Sequence, residues 1–255
     1  EDFSWKGRDD LCGVVAYWPL DGTTQPLVTG KNSTMTGGAW GIGRLGDANG
    51  AMVFDGEAHV DTGVELHSGG GDSFTLEAWA RTEKDATEYA AIMGNECPDT
   101  GGNQYFFYFH HEDGPGARFS SNFTETLEGG DLRDGRWHHL AVVRDATVEK
   151  VYLYVDGLLK DSSDDSGTAL TACATTYIGA FHRKGEGAIN HMLGSIDEVL
   201  IHNVAKSSDY LYRRANPGVP HLRFLAQTET SDSNGDGYFE FYDYIFFHVP
   251  ENWFV

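Results

Sequence analysis

"SFTLEAWART", residues 73–82, decides the fold. Phe74, Leu76, Ala78 and Ala80 alternate with Thr75, Glu77, Trp79 and Arg81. A period of two describes an extended strand with one apolar face and a second face carrying polar groups and a tryptophan. Working outward, "VVAYW" (from Val14), "AMVFDG" (from Ala51), "YAAIMGN" (from Tyr89) and "QYFFYFHH" (from Gln104) read the same way. So do "RWHHLAVVRD" (from Arg136), "KVYLYVDG" (from Lys150) and "MLGSIDEVLIHN" (from Met192). Turn signals such as "DG", "GPG", "GG" and "GEG" separate these runs. About ten or eleven short strands without a strong helical stretch predict an all-β fold, two antiparallel sheets packed face to face.

One short helix is expected over "SDYLYRR", capped by Ser207 and ended by "NPG". A boundary near Asn216 divides the chain into a domain, 1–215, and a C-terminal extension, 216–255, too short to bury a core of its own.

The net charge is -21, which excludes a nucleic-acid partner, because phosphate binding needs a basic surface. It equally disfavours anionic membranes, and no apolar run approaches the roughly 20 residues of a membrane span. An acidic surface suits calcium and solubility. "EDFSWKGRDD" reads as the start of a mature chain and not as a secretion leader. Cys12, Cys97 and Cys173 allow one internal disulfide in any of three pairings, and the lack of a CxxC gives zinc no support. Sequons stand at Asn32 and Asn122. The expected setting is secreted or cell-surface.

The ordered set "AYWPLDG", "FDG", "SFTLEAWA", "GRWHHLAVVRD", "VYLYVDG", "IGA" and "GSIDEVLIHNVAKS" resembles the LamG-like, concanavalin A-like jelly-roll domain over roughly residues 14–214. The resemblance implies a jelly-roll sandwich with a possible structural calcium where Asp21 and Asp197 stand. It also implies a binding surface on the loops "GNECPDTGGN" and "GAFHRKGEG". Asn95, Glu96, Asp99 and Glu186 are candidates there, although the paired-calcium pattern of the related pentraxins is missing. The histidine after Trp137 is usual in the family and reads as structural. Laminarinase-type hydrolases share the fold, but Ser195 replaces their first glutamate. Strict alternation would also put Asp197 and Glu198 on opposite faces. No hydrolase activity is therefore expected, and no catalytic residue is assigned.

"DSNGDGYFEFYD", residues 232–243, fits an EF-type calcium loop. Such loops ligate from positions 1, 3, 5, 7, 9 and 12, with glycine at 6. Asp232, Asn234 and Asp236 fill the first three, Tyr238 offers its carbonyl, Glu240 reaches through water, and Asp243 closes the set. The loop resembles a single dockerin repeat, and only one is present, so cohesin binding is not implied. The tail that follows is rich in aromatics. Two functions follow as expectations. One is a calcium-binding, lectin-like recognition module for a glycan or glycoprotein, with Trp40, Trp79 or Trp253 able to stack on sugars. The alternative is a structural subunit that self-associates, or holds a partner protein, through the calcium-ordered tail.

Overall fold

The alternation at 73–82 becomes a strand, Phe74–Arg81, whose Phe74, Leu76, Ala78 and Ala80 lie in the main core. The structure is a computed structural model that describes residues 12–28, 31–83, 89–97, 105–110, 116–122 and 124–217, with short strands at 230–231 and 240–241. In chain order the strands are β1 (Val14–Trp18), β2 (Thr34–Thr36), β3 (Ala39–Gly41), β4 (Ala51–Asp55), β5 (His59–Asp61) and β6 (His67–Ser68). Next come β7 (Phe74–Arg81), β8 (Tyr89–Glu96), β9 (Tyr105–His110), β10 (Gly116–Ser121), β11 (Thr124–Glu128), β12 (His138–Asp145) and β13 (Lys150–Val155). They continue as β14 (Leu158–Asp164), β15 (Leu170–Thr171), β16 (Tyr177–Ile178), β17 (Phe181–Arg183), β18 (Gly187–Ile189) and β19 (Leu193–His202). Helix α1 (Ser208–Ala215) precedes β20 (Thr230–Ser231) and β21 (Glu240–Phe241). The chain forms two compact units, Glu1–Ala215 and Asn216–Val255.

Among the described residues, the first unit holds two large sheets. One runs β14-β13-β12-β7-β19-β4-β3, with β1 also on β19. The other runs β11-β10-β9-β8-β16-β5-β2. The β17–β18 hairpin joins the second sheet through a parallel pairing of His182 and Arg183 with Asn95 and Glu96. Every other pairing within the two sheets is antiparallel, as the short, turn-linked strands imply. Phe54, Phe107, Phe109, Phe119 and Trp18 are fully buried between the sheets. Each such side chain contributes roughly 1.5–3 kcal/mol on leaving water, so this layer fixes the sandwich.

Helix α1 forms where the sequence predicts it. The Ser207 Oγ accepts the Tyr210 amide at 3.2 Å, a serine N-cap. Leu211 and Tyr210 bury against Ala141, Val143 and Tyr154 on the outer face of the first sheet. Thus the polar face of β7 is also covered, with Thr75 and Glu77 both 0% exposed.

Candidate functional site: two outer faces and a disulfide-tied corner

The face beneath the helix is organised by one buried carboxylate. Glu77 meets His139 Nε2 at 3.0 Å, His202 Nε2, the Tyr210 hydroxyl at 2.8 Å, and the Arg214 Nε at 3.5 Å. Burial alone would raise the Glu77 carboxyl, but the hydrogen bonds from both histidines and the charge of Arg214 hold it well below the usual range. His139 is therefore structural. Its neighbour His138 is pinned between Asp156 (2.8 Å) and Asp134 (3.2 Å), and the Asp156 hydrogen bond raises its pKa.

Beside this hub the structure corrects an expectation. Asp197 and Glu198 do not lie on opposite faces. Asp197 pairs with Trp79 and Leu200 with Glu77, so β19 carries one extra residue, a β-bulge, and Glu198 sits at φ 53°. The bulge turns Glu198 to the outer face, where it accepts the Tyr17 hydroxyl at 3.0 Å and an Arg214 Nη2–H at 3.1 Å. Arg44 lies 3.9 Å from each of the two carboxylates and stacks over Trp79. Burial, then the charge of Glu198, pushes the Asp197 carboxyl up to about 7.

Asp21 belongs to the same electrostatic neighbourhood, and its carboxyl is raised by burial and by Glu198. Among the described residues no three of His, Cys, Asp and Glu converge as a metal site. Here the positive charge among Asp21, Asp197 and Glu198 is the Arg44 guanidinium, 3.9 Å from the last two. Trp79 is 8% exposed beneath Arg44, and Trp40 packs on the main core. Trp79 is therefore covered, whereas Trp40 is half-exposed.

The outer face of the second sheet differs, because among the described residues no helix covers it. Tyr177 is stacked between His59 (centroids 4.8 Å apart) and His182 (4.1 Å), and His191 meets His59 edge-on. Further along, Tyr89, Phe106, Tyr108, Phe181 and His110 make edge-to-face contacts. His59, His182, His191, Tyr89 and Phe106 remain half-exposed. Gly94 lets Phe181 lie down on β8, since a Cβ there would come 2.8 Å from its ring.

At one corner of this face the end of β8 meets the β17–β18 hairpin. Cys97 and Cys173 form the disulfide, and Cys12 is free. Arg183 holds Glu96 at 2.8 Å and Glu186 at 3.3 Å. Asn95 is fully buried, and its Nδ2 donates to the Ala174 carbonyl at 3.3 Å. Arg183 thus brings Glu96 and Glu186 together, whereas Asn95 is buried away from them and Asp99 lies outside the described residues. Asn32 and Asn122 are both exposed.

Asp232, Asn234, Asp236, Tyr238 and Asp243 lie outside the described residues, as do Trp253 and the aromatic tail. Glu240 begins β21 and pairs with Ser231. Sequence reasoning missed Glu77 as a hub, although a glutamate between apolar positions, with "HH" on a neighbouring strand, was the available signal. Nothing in "IDEVL" marks the bulge, and nothing local marks the Tyr177 stack.

Two cavities open on the first unit. One, of about 1240 Å³, is bounded by Val64, Leu66, Phe74 and Val204 with Asp72 and Asp145. The other, of about 450 Å³, is bounded by Val53, Arg81, Glu83, Leu193 and Ser195. Neither is lined by Asp197 or Glu198.

Two antiparallel sheets packed face to face, with one helix on the first, define a jelly-roll β-sandwich domain. The chain belongs to the concanavalin A-like lectin/glucanases superfamily, whose family model matches residues 54–211. No curated protein sequence matches it. Among solved structures it is similar to domain 4 of AbnA, a GH43 extracellular arabinanase from Geobacillus stearothermophilus, solved in complex with arabinotriose. The TM-score is 0.60 at 19% identity, over 79% of this chain and 98% of that one. The binding domain of Paraclostridial Mosquitocidal Protein 1 is similar at TM-score 0.55 and 16% identity, over 80% of this chain and 51% of that one. A Trypanosoma rangeli sialidase mutant displaying trans-sialidase activity follows at TM-score 0.56 and 12% identity, over 78% and 32%. At these identities the likeness is one of fold.

Proposed function

We propose that this chain is a secreted or cell-surface recognition module that binds glycan, and that it is not itself a catalyst. The observation that carries the reading is the ring stack His59–Tyr177–His182 on a sheet face free of helix. Half-exposed rings fit the C–H faces of sugars, and Asp61 on the same face, with Arg183, Glu96 and Glu186 at the rim, would hydrogen-bond hydroxyls. The arabinotriose complex of the AbnA domain is consistent with this use of the fold. The non-catalytic half of the proposal rests on access. Asp197 and Glu198 are the nearest thing to a paired acid, but Asp197 is 4% exposed, Arg44 lies against both, and neither described cavity reaches them.

Calcium belongs to the same reading. Three carboxylates, an amide and a backbone carbonyl at EF-type spacing form a hard-oxygen donor set. The pairing of Ser231 with Glu240 joins the chain on either side of residues 232–239, which suits a closed loop. Asp232, Asn234, Asp236, Tyr238, Glu240 and Asp243 would hold the ion, and its role would be to order the extension.

The test is a glycan array read with and without chelator, followed by titration of hits against His182→Ala and Phe106→Ala. Loss of about tenfold in affinity is expected for a ring that stacks on sugar. An array silent for every sugar, or binding unchanged in both variants, would overturn the assignment.

A further inference from the structure

We propose that the cavity at Arg81 is a second ligand site, selective for sugars that carry a carboxylate, such as uronic acids. It lies on the outer face of the first sheet, beyond the part that α1 covers. The reading of this chain as a glycan binder contributes only the ligand class; the site itself shares no residue with the aromatic face.

Every other described arginine pairs with a carboxylate. Arg81 does not. Its Nε donates to the Ser195 Oγ at 3.2 Å, and its guanidinium lies 5.1 Å over the Trp137 ring. Its two terminal nitrogens have no protein partner among the described residues. In a chain with 39 acidic and 18 basic residues, an arginine left without a carboxylate is poised for an external anion.

The guanidinium is already oriented. Ser195 anchors one edge and Trp137 backs the plane, so the free fork faces the cavity with little freedom left to lose. A fork of this kind takes a carboxylate through two parallel hydrogen bonds. The cavity is about 450 Å³, within the range that holds a small molecule. Val53 and Leu193 give it apolar walls, and Gly194 gives it a floor without a side chain. At Gly194 a Cβ would come 2.2 Å from the Arg81 carbonyl oxygen, and φ is +150°, so the open floor is built into the strand.

Glu83 decides between a plain carboxylate and a sugar acid. It lines the same cavity, is exposed, and makes no ion pair with Arg81. A bare carboxylate on Arg81 would be repelled by Glu83. A uronic acid places its carboxylate on Arg81 and offers hydroxyl donors to Glu83, so both charged groups are satisfied at once.

The experiment titrates the full chain with D-glucuronate, D-glucose and acetate, followed by NMR of the amide and indole N–H signals. Glucuronate should bind at least about tenfold more tightly than glucose or acetate. Arg81→Gln should lose that binding by about tenfold or more, and Arg81→Lys, which keeps the charge without the fork, should fall between. Glu83→Gln should narrow the preference for glucuronate over acetate. Equal binding of glucose and glucuronate, or glucuronate binding unaffected in a folded Arg81→Gln protein, overturns the site. If glucuronate binding depends on Arg81 while the array hits ignore His182 and Phe106, the aromatic-face reading fails and this one stands. The converse pattern retains the aromatic face and rejects the Arg81 slot.

Discussion

Replacing Asp197 by asparagine should stabilise the protein above neutral pH and leave it nearly unchanged in acid. In the folded chain the Asp197 carboxyl is pushed from the ordinary 3.8 up to about 7, by burial first and by the Glu198 charge next. A carboxyl with a raised folded pKa binds its proton more tightly folded than unfolded, so it favours the native state in acid. That advantage disappears as pH climbs from about 4 to about 7, and above this the native state holds an ion it disfavours. Each tenfold difference in proton affinity between the folded and unfolded chain corresponds to about 1.4 kcal/mol. The change is therefore on the order of 2–4 kcal/mol, the attraction of Arg44 already being part of the raised value and the remaining solvent exposure lowering it from the full shift. Asparagine keeps the shape and an acceptor for the Arg44 amide, but it never ionises. For a domain of this size each kcal/mol moves Tm by roughly 2–4 °C. Thermal unfolding of both proteins by circular dichroism at pH 3 and pH 8.5 should then show near-equal Tm in acid and a gain of roughly 5–10 °C for the variant in base. A gain of the same size at both pH values, or a loss at pH 8.5, would refute the account of a buried, charge-crowded bulge.

Joint replacement of Cys97 and Cys173 by alanine opens a crosslink spanning 76 residues and should cost about 4–5 kcal/mol of stability, seen as a Tm drop that reductant no longer deepens. Glu77→Gln should cost about 3 kcal/mol or more, because His139, His202 and Arg214 lose a buried anion. Hydrogen exchange at the Tyr210 and Leu211 amides should accelerate with it, and unchanged protection would argue against the hub. His138→Gln should destabilise most below the ordinary histidine pKa, where the raised His138 stays charged between Asp156 and Asp134. The deficit should shrink as pH rises through the folded value, and a pH-independent deficit in denaturant melts would contradict the clamp.

The strand at Phe74–Arg81 was legible because its apolar period is uninterrupted and its partners share it. The cap at Ser207 was legible because capping is local chemistry. Local patterns fail where a single residue changes the register. Glu198 at φ 53° looks like any other position in "SIDEVL", so alternation assigned it to the wrong face. The tightest contacts of the candidate site are also non-local. Tyr177 meets His59 across 118 positions of sequence, and Arg183 meets Glu96 across 87. No window of sequence contains both members of either pair. The disulfide was narrowed to three pairings by counting alone, and only the closeness of the β8 end to residue 173 selects one.

The two outer faces of one sandwich have had opposite histories written into their side chains. On the first sheet the helix needs a reason to stay, and Glu77 supplies it by collecting donors from β12, β19 and α1 around one fully buried anion. That closure takes half of the face out of contact with solvent and leaves Arg81 and Trp137 at its open end. On the second sheet no such hub exists among the described residues. The rings there stack on one another, and His182 and His191 are each held through Nδ1 by a backbone carbonyl, of Thr175 and of Ala58, so a sugar can displace solvent from the ring faces without breaking those bonds. On this acidic chain, Arg81 is the described arginine that no carboxylate neutralises. The two proposed sites, neutral glycans on the stacked rings and acidic sugars at Arg81, would therefore be separable, since they depend on opposite sheets and on different forces.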